Sequence, residues 1–179
     1  ASDEYGDRVK RIIVERTNGE SMKNAFNGRH YDVVIDKIAY CSNDIKYVME
    51  AVDHDKYIHM SSTSVYESKH MNTVESDFNG TDRELVWCDR KAYPYEEIKR
   101  QAECALWQEY SHRDWIAVRY PFALGKDDYT KRLLYYVEHT IKAIPMNIDN
   151  PDAQMGFIHS VEAGKFMAFL VGQDIQGAI

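Results

Sequence analysis

The sequence lacks most of what would mark it for a nucleic acid, a membrane or an oxidising compartment. Its formal net charge is −7, so it has none of the lysine and arginine excess that a phosphate backbone demands, which argues against DNA as a partner. Nowhere does it approach the run of about 20 apolar residues that crosses a bilayer, and no signal-peptide pattern is visible. Cysteine is scarce. Cys41, Cys88 and Cys104 are odd in number and show no Cys-x-x-Cys spacing, which points to reduced thiols and a cytoplasmic setting. The seven histidines and the acidic residues have no metal-ligand spacing, so no metal is expected. Internal repeats and low-complexity tracts are also missing. The chain opens on Ala1 rather than Met, which leaves room for an upstream part.

What is present is an ordinary globular composition, 44% hydrophobic and 28% charged over 179 residues, enough for one domain with a substantial core. Arg8 to Glu15 ends in an apolar run and reads as a strand, followed by a short helix over Gly19 to Phe26. Asp32 to Asp36 is β-branched and continuous, a buried strand of the parallel-sheet kind. Ile45, Val48, Met49 and Val52 repeat at helical spacing, with Ser42 or Asn43 placed to cap them. Lys56 to Met60 is a short buried strand, and Trp115 to Arg119 another. Pro121 and Gly125 punctuate a loop. A helix is predicted over Lys126 to His139, with Leu133, Leu134 and Val137 on one side, then a strand over Met155 to His159 and a helix over Val161 to Val171. Alternating strands and helices predict a doubly wound α/β sheet.

The chemistry concentrates between Ser61 and Lys99. Ser61-Ser62-Thr63-Ser64-Val65-Tyr66 follows an apolar strand, an irregular polar loop comes next, and Tyr93-Pro94-Tyr95-Glu96-Glu97-Ile98-Lys99 opens a helix on which Ala102, Ala105, Leu106 and Tyr110 continue the phase of Ile98. Tyr95 and Lys99 then share a helix face one turn apart. A phenol titrates near about pH 10, and a neighbouring ammonium lowers that value towards the range useful for proton transfer. A serine hydroxyl such as Ser62 can hold a substrate oxygen and steady the phenol. Such a trio suits moving a proton on or off an alcohol while a hydride leaves or joins the same carbon. Tyr-x-x-x-Lys by itself carries little weight in a chain with 13 tyrosines; the order strand, serine cluster, loop, Tyr-x-x-x-Lys helix is what raises it.

That order resembles the extended and atypical short-chain dehydrogenase/reductases, the NAD-dependent epimerase/dehydratase family. The resemblance extends to Asp32-Val-Val-Ile-Asp36-Lys-Ile-Ala39-Tyr40, similar to the family's fourth strand, and to Arg119-Tyr-Pro-Phe-Ala-Leu-Gly125, similar to the segment that borders the nicotinamide. Met155-Gly-Phe-Ile-His159-Ser-Val-Glu-Ala163 resembles a further family segment, and Glu15 loosely matches an acid placed beside the adenine. The resemblance implies a Rossmann-type, mainly parallel sheet, incomplete at its N-terminal end, with residues 1–179 forming part of the cofactor-binding and catalytic core. It implies NAD or NADP as cofactor, contacted by Glu15, Ile38, Ala39, Lys99, Tyr120, Pro121 and Phe122. Ser62, Tyr95 and Lys99 would be catalytic, Thr63 and Ser64 would contact a substrate, and the substrate class would be a nucleotide sugar. A second copy of the chain is a further candidate partner.

The departures also carry information. None of the nine glycines (6, 19, 28, 80, 125, 156, 164, 172, 177) makes the family's Gly-x-x-Gly-x-x-Gly fingerprint, so the chain alone is expected to lack a complete cofactor site and to be inactive. Lys37 and Ile38 stand where small or apolar residues are usual. The acid pair that dehydratases of the family carry is absent at Thr63 and Ser64, which leaves epimerase or reductase. A reductase of small carbonyl compounds, and a non-catalytic relative that binds a nucleotide or RNA, are the alternatives. Several residues have plainer readings: a solvated Lys99, a strand-end Ser62 capping its own turn, a structural Tyr93, a hydrogen-bonded core His159, and Trp87 and Cys88 as loop anchors or substrate border. Without the family's first two strands, Asp32–Asp36 would present a bare apolar edge. The strand at Arg8–Glu15, or a second chain, is expected to cover it.

Overall fold

A computed structural model of the chain describes residues 6–68, 70–126, 128 and 130–179. Strands β1 (His30–Asp36), β2 (Asp53–Ser62) and β3 (Asp114–Tyr120) pair in parallel. A fourth, β6 (Gly177–Ala178), joins the far side of β3 to give the order β1-β2-β3-β6. All pairings are parallel, as a strand–helix alternation requires. The β-branched run of β1 and the apolar centre of β2 lie in this sheet because parallel strands are covered on both faces.

Helices α1 (Gly19–Phe26), α2 (Ser42–Ala51) and α3 (Tyr95–Gln108) cover one face. Ile45, Val48 and Met49 of α2, with Val52 just beyond it, are buried together with Tyr57, Ala102, Ala105, Leu106 and Trp115. Filling such positions stabilises by about 1.5–3 kcal/mol per large side chain. The other face carries Ile58, Ile116, Val118 and Tyr120 against Ala163, Met167 and Leu170 of α5 (Ser160–Leu170). A two-stranded parallel sheet, β4 (Phe122–Leu124) with β5 (Phe157–His159), stands beyond the end of β3. Among the described residues, no helix is long and apolar enough to cross a membrane.

Several expectations are corrected. Residues 9–15 form no strand: a 3-10 turn covers Gly6–Arg8, the chain then runs without sheet pairing, and Ile13 is fully exposed. Among the described residues β1 pairs only with β2, so its outer edge is open and the N-terminal segment does not move in to cover it. That segment is held instead by charge, the Arg16 guanidinium forming a two-armed ion pair with Asp36 at 2.7 and 2.6 Å. Cys41, not Ser42 or Asn43, is the N-cap of α2. The Ser42 hydroxyl is engaged elsewhere, donating to the Val86 carbonyl (2.7 Å) and accepting from the Cys88 N–H (2.8 Å).

The helix expected from Lys126 is α4, Arg132–Ile141, and Leu133, Leu134 and Val137 are exposed on it. Asp127 and Tyr129, within the expected helix, lie outside the described residues. The strand expected from Met155 begins at Phe157. His159 is exposed rather than a core residue: it caps α5, its Nδ1 accepting from the Val161 N–H. Tyr93 is exposed as well.

Candidate active site

The end of β2 places Ser61 and Ser62 on opposite sides because strand side chains alternate. Ser61 turns into the core, its hydroxyl donating to Glu103 at 2.5 Å. Ser62 caps the 3-10 turn Thr63–Val65: its Oγ accepts from the Ser64 N–H at 3.1 Å and lies 2.9 Å from the Ser64 Oγ. Val65 and Tyr66 are buried and lock this turn. Ser62 thus keeps a local capping role and also faces the space in front of the strand.

Tyr95 is the first residue of α3, directly after Pro94, where the missing proline N–H costs the helix nothing. Its ring meets Tyr40 edge-on at 6.2 Å. Burial pushes its phenol above the ordinary value; the Ser62 hydroxyl and the positive charge of Arg132 pull it the other way.

Lys99 is one turn further on and almost fully buried. Its ammonium donates to the carbonyl oxygens of Ala39 (2.9 Å) and Met60 (2.8 Å), tying the end of β2 to the segment that follows β1. The Tyr40 ring lies 5.6 Å from the same Nζ and takes the Arg90 guanidinium at 4.9 Å. Desolvation brings the Lys99 amine down to about 8. Beside it His59 is fully buried and its titration is held well below the usual range, first by burial and then by the Lys99 charge. Both His59 ring nitrogens are without a hydrogen-bond partner among the described residues.

These elements open onto a cleft of about 860 Å³. Ser62, Thr63, Ser64, Tyr95, Tyr120, Pro121 and Phe122 all line it, together with Thr73, Arg132 and Gln154. The structure therefore brings together the two serines, the threonine, the phenol and the β3–β4 segment. It does not bring Glu15 there: that carboxylate is exposed and accepts from the N–H and hydroxyl of Thr17 in its own turn. Lys99, Ile38 and Ala39 are not among the lining residues; Ile38 is exposed and Ala39 buried. The Tyr120 hydroxyl is used internally, donating to the Ala163 carbonyl at 2.8 Å. Trp87 and Cys88 do not line the cleft and act as anchors, Trp87 under Lys46 and Cys88 against Ser42.

Beneath the cleft, Arg119 and Glu103 form an ion pair at 2.6 Å with both side chains out of solvent. The guanidinium also donates to Tyr66 Oη (3.2 Å) and to the Glu75 and Phe78 carbonyls (2.7 and 2.9 Å). This network fixes β3, α3 and the serine turn relative to one another. Sequence reasoning missed Glu103 and Arg132, because neither belongs to a motif and the partners of Glu103, Ser61 and Arg119, are distant in the chain. Far from the cleft, His30, Asp32 and Asp55 come within 4.8 Å of one another on the surface, with His30 hydrogen-bonded to Asp53 and Asp55.

No protein-family model and no curated protein matches the sequence. Solved structures match in fold. A UDP-N-acetylglucosamine 4-epimerase from Methanobrevibacter ruminantium M1, in complex with UDP-N-acetylmuramic acid, is 18% identical with a TM-score of 0.63, over 94% of this chain and 59% of that one. A dTDP-glucose 4,6-dehydratase double mutant from Streptomyces venezuelae, with NAD bound, gives 12% and 0.71 over 98% and 59%. A UDP-glucuronic acid 4-epimerase from Bacillus cereus, with UDP-glucuronic acid and NAD, gives 19% and 0.61 over 98% and 60%. The chain thus has the α/β Rossmann-like fold of NAD-dependent nucleotide-sugar epimerases and dehydratases, and spans about three-fifths of their length.

Proposed function

We propose that this chain is part of the catalytic core of an NAD(P)-dependent epimerase or reductase acting on a nucleotide sugar, with Tyr95 as its acid/base. The observation that carries the reading is the placement of Tyr95 and Ser62 on one cleft at the C-terminal ends of parallel strands, where this architecture binds ligands. A cleft of about 860 Å³ is of the size that holds a small ligand (about 300–1,000 Å³).

The residues present fit the nicotinamide end of the cofactor. Pro121 and Phe122 offer an apolar wall and Ile38 an exposed apolar surface at the end of β1. They offer no glycine-lined helix N-terminus for the pyrophosphate. When bound, NAD(P) supplies the hydride acceptor and donor. Ser62 holds the substrate oxygen, Tyr95 Oη takes the hydroxyl proton or returns it, and Thr63 and Ser64 orient the sugar. Lys99 supports the reaction from below by fixing the strand ends from which Tyr40 and Ser62 project.

A second reading, a nucleotide-binding scaffold without catalysis, is favoured by one observation: the Lys99 ammonium is occupied by backbone carbonyls.

Titration of the isotope-labelled chain with UDP-sugars, followed by NMR, tests the substrate reading. Shifts gathered at Ser62, Ser64, Tyr95 and Phe122 are expected. Shifts confined to other surfaces, or none at millimolar ligand, would overturn it.

A further inference from the structure

Tyr95 is the first residue of α3, so no earlier helical turn restricts its rotamer, and its side chain is half-exposed. Proton transfer nevertheless needs the Oη held within hydrogen-bond reach of its partner, about 2.6–3.2 Å. What meets the ring from the side is Tyr40, edge-on at 6.2 Å, inside the range of about 4.5–7 Å that aromatic pairs prefer.

Tyr40 is itself tied down from other elements. The Ile38 carbonyl accepts from Arg90 Nη2 at 2.9 Å, the Ala39 carbonyl accepts from Lys99 Nζ at 2.9 Å, and the Tyr40 N–H donates to the Asp44 carboxylate at 2.8 Å. Asp44 is buried and also takes the Arg90 Nε at 2.9 Å. The Arg90 guanidinium then stands 4.9 Å from the centre of the Tyr40 ring, and Lys99 Nζ stands 5.6 Å from it. Both lie within the reach of a cation–π contact, about 6 Å. Tyr40 is not among the residues lining the cleft, so this anchoring does not serve contact with a substrate.

We propose that Tyr40 is a positioning residue: anchored by Asp44 and Arg90, its ring fixes the Tyr95 phenol against the Ser62 hydroxyl. This rests on the reading of Tyr95 as the acid/base and names what aims it. Without the Tyr40 ring the phenol is free to take other staggered rotamers, which carry its Oη away from Ser62.

NMR of the chain with ring-labelled tyrosine, followed through a pH titration, tests this as a double-mutant cycle. Ser62→Ala is made in wild type, Tyr40→Phe, Tyr40→Leu and Tyr40→Met, and the Tyr95 signal is identified by its loss in Tyr95→Phe. Arg132, which also pulls the phenol's titration down, is unchanged throughout. Ser62→Ala is expected to raise the Tyr95 titration equally in wild type and Tyr40→Phe, and by less than about half as much in Tyr40→Leu and Tyr40→Met. Phe keeps the ring while Leu and Met keep apolar bulk, so a loss confined to the last two reports the ring; either one that retains the wild-type amide spectrum suffices. An undiminished shift in Tyr40→Leu or Tyr40→Met would overturn the inference and leave the pairing of Ser62 with Tyr95 standing. A shift lost in Tyr40→Phe would assign the effect to the Tyr40 hydroxyl and overturn it too. If Ser62→Ala moves nothing in wild type, inference and pairing fail together.

Discussion

Lys99 Nζ lies 2.8 Å from the Met60 carbonyl oxygen at the end of β2, and the same ammonium reaches the Ala39 carbonyl at 2.9 Å. The charge is buried at the C-terminal edge of the sheet, where orphaned carbonyls would otherwise lie out of water. Lys99→Met leaves both unpaired and is expected to cost about 2–4 kcal/mol in denaturant unfolding at neutral pH.

Lys99 also sets a pH dependence. Its folded value of about 8 lies below the 10.5 of an ordinary lysine. Between those values the unfolded chain binds more protons, so this group makes stability rise with pH there and exacts its full cost below about pH 8. Unfolding measured across that window should show the rise in wild type and a flatter profile in Lys99→Met. Parallel profiles would show that Lys99 does not titrate differently in the fold.

The Glu103–Arg119 pair predicts the largest single-residue losses. Both side chains are out of solvent, so Arg119→Met strands a buried carboxylate and should cost about 3–5 kcal/mol. Replacing both partners, as Glu103→Leu with Arg119→Met, should cost less than the sum of the two singles. A loss under about 1 kcal/mol for Arg119→Met, on the scale of an exposed pair, would contradict this assignment.

How far the sequence reveals this molecule depends on whether the signal is local. The run Val33-Val34-Ile35 and the repeat Ile45, Val48, Met49, Val52 identify β1 and α2 because burial imposes their period. Tyr95 at the head of α3 follows from the phase of Ile98, Ala102 and Leu106. The three residues of β4 and two of β6 are too short to show any period. The apolar run at Ile12–Val14 suggested a strand, yet strand formation needs a neighbour, and Arg16 anchors this segment to Asp36 instead. Leu133, Leu134 and Val137 give α4 an apolar stripe that reads as a buried face, while the structure leaves it exposed. Glu103 shows the opposite error: a glutamate within a helix looks solvated until the distant Arg119 and Ser61 are seen beside it.

The phenol of Tyr95 should respond to Ser62. Burial raises its titration and the Ser62 hydroxyl opposes the rise, so Ser62→Ala should move it to higher pH. Ring-labelled tyrosine followed by NMR reads this directly. A titration at the same pH in both proteins would separate Ser62 from the phenol.

Cofactor affinity should be poor in these 179 residues, because nothing in them supplies the pyrophosphate cradle that anchors a dinucleotide. Calorimetric titration with NADH is expected to show no binding in the micromolar range. Micromolar binding would mean that a second copy completes the site or that another loop does the cradle's work.

The central claim is that Tyr95 transfers the proton. Its most direct test is nucleotide-sugar turnover with NAD by the longest natural protein that contains this chain, comparing wild type with Tyr95→Phe, a change that removes one hydroxyl from a half-exposed ring. The account predicts that kcat falls by about 10²–10⁴-fold while substrate affinity holds. An unchanged kcat in Tyr95→Phe would contradict it and leave the cleft as a binding site without this chemistry.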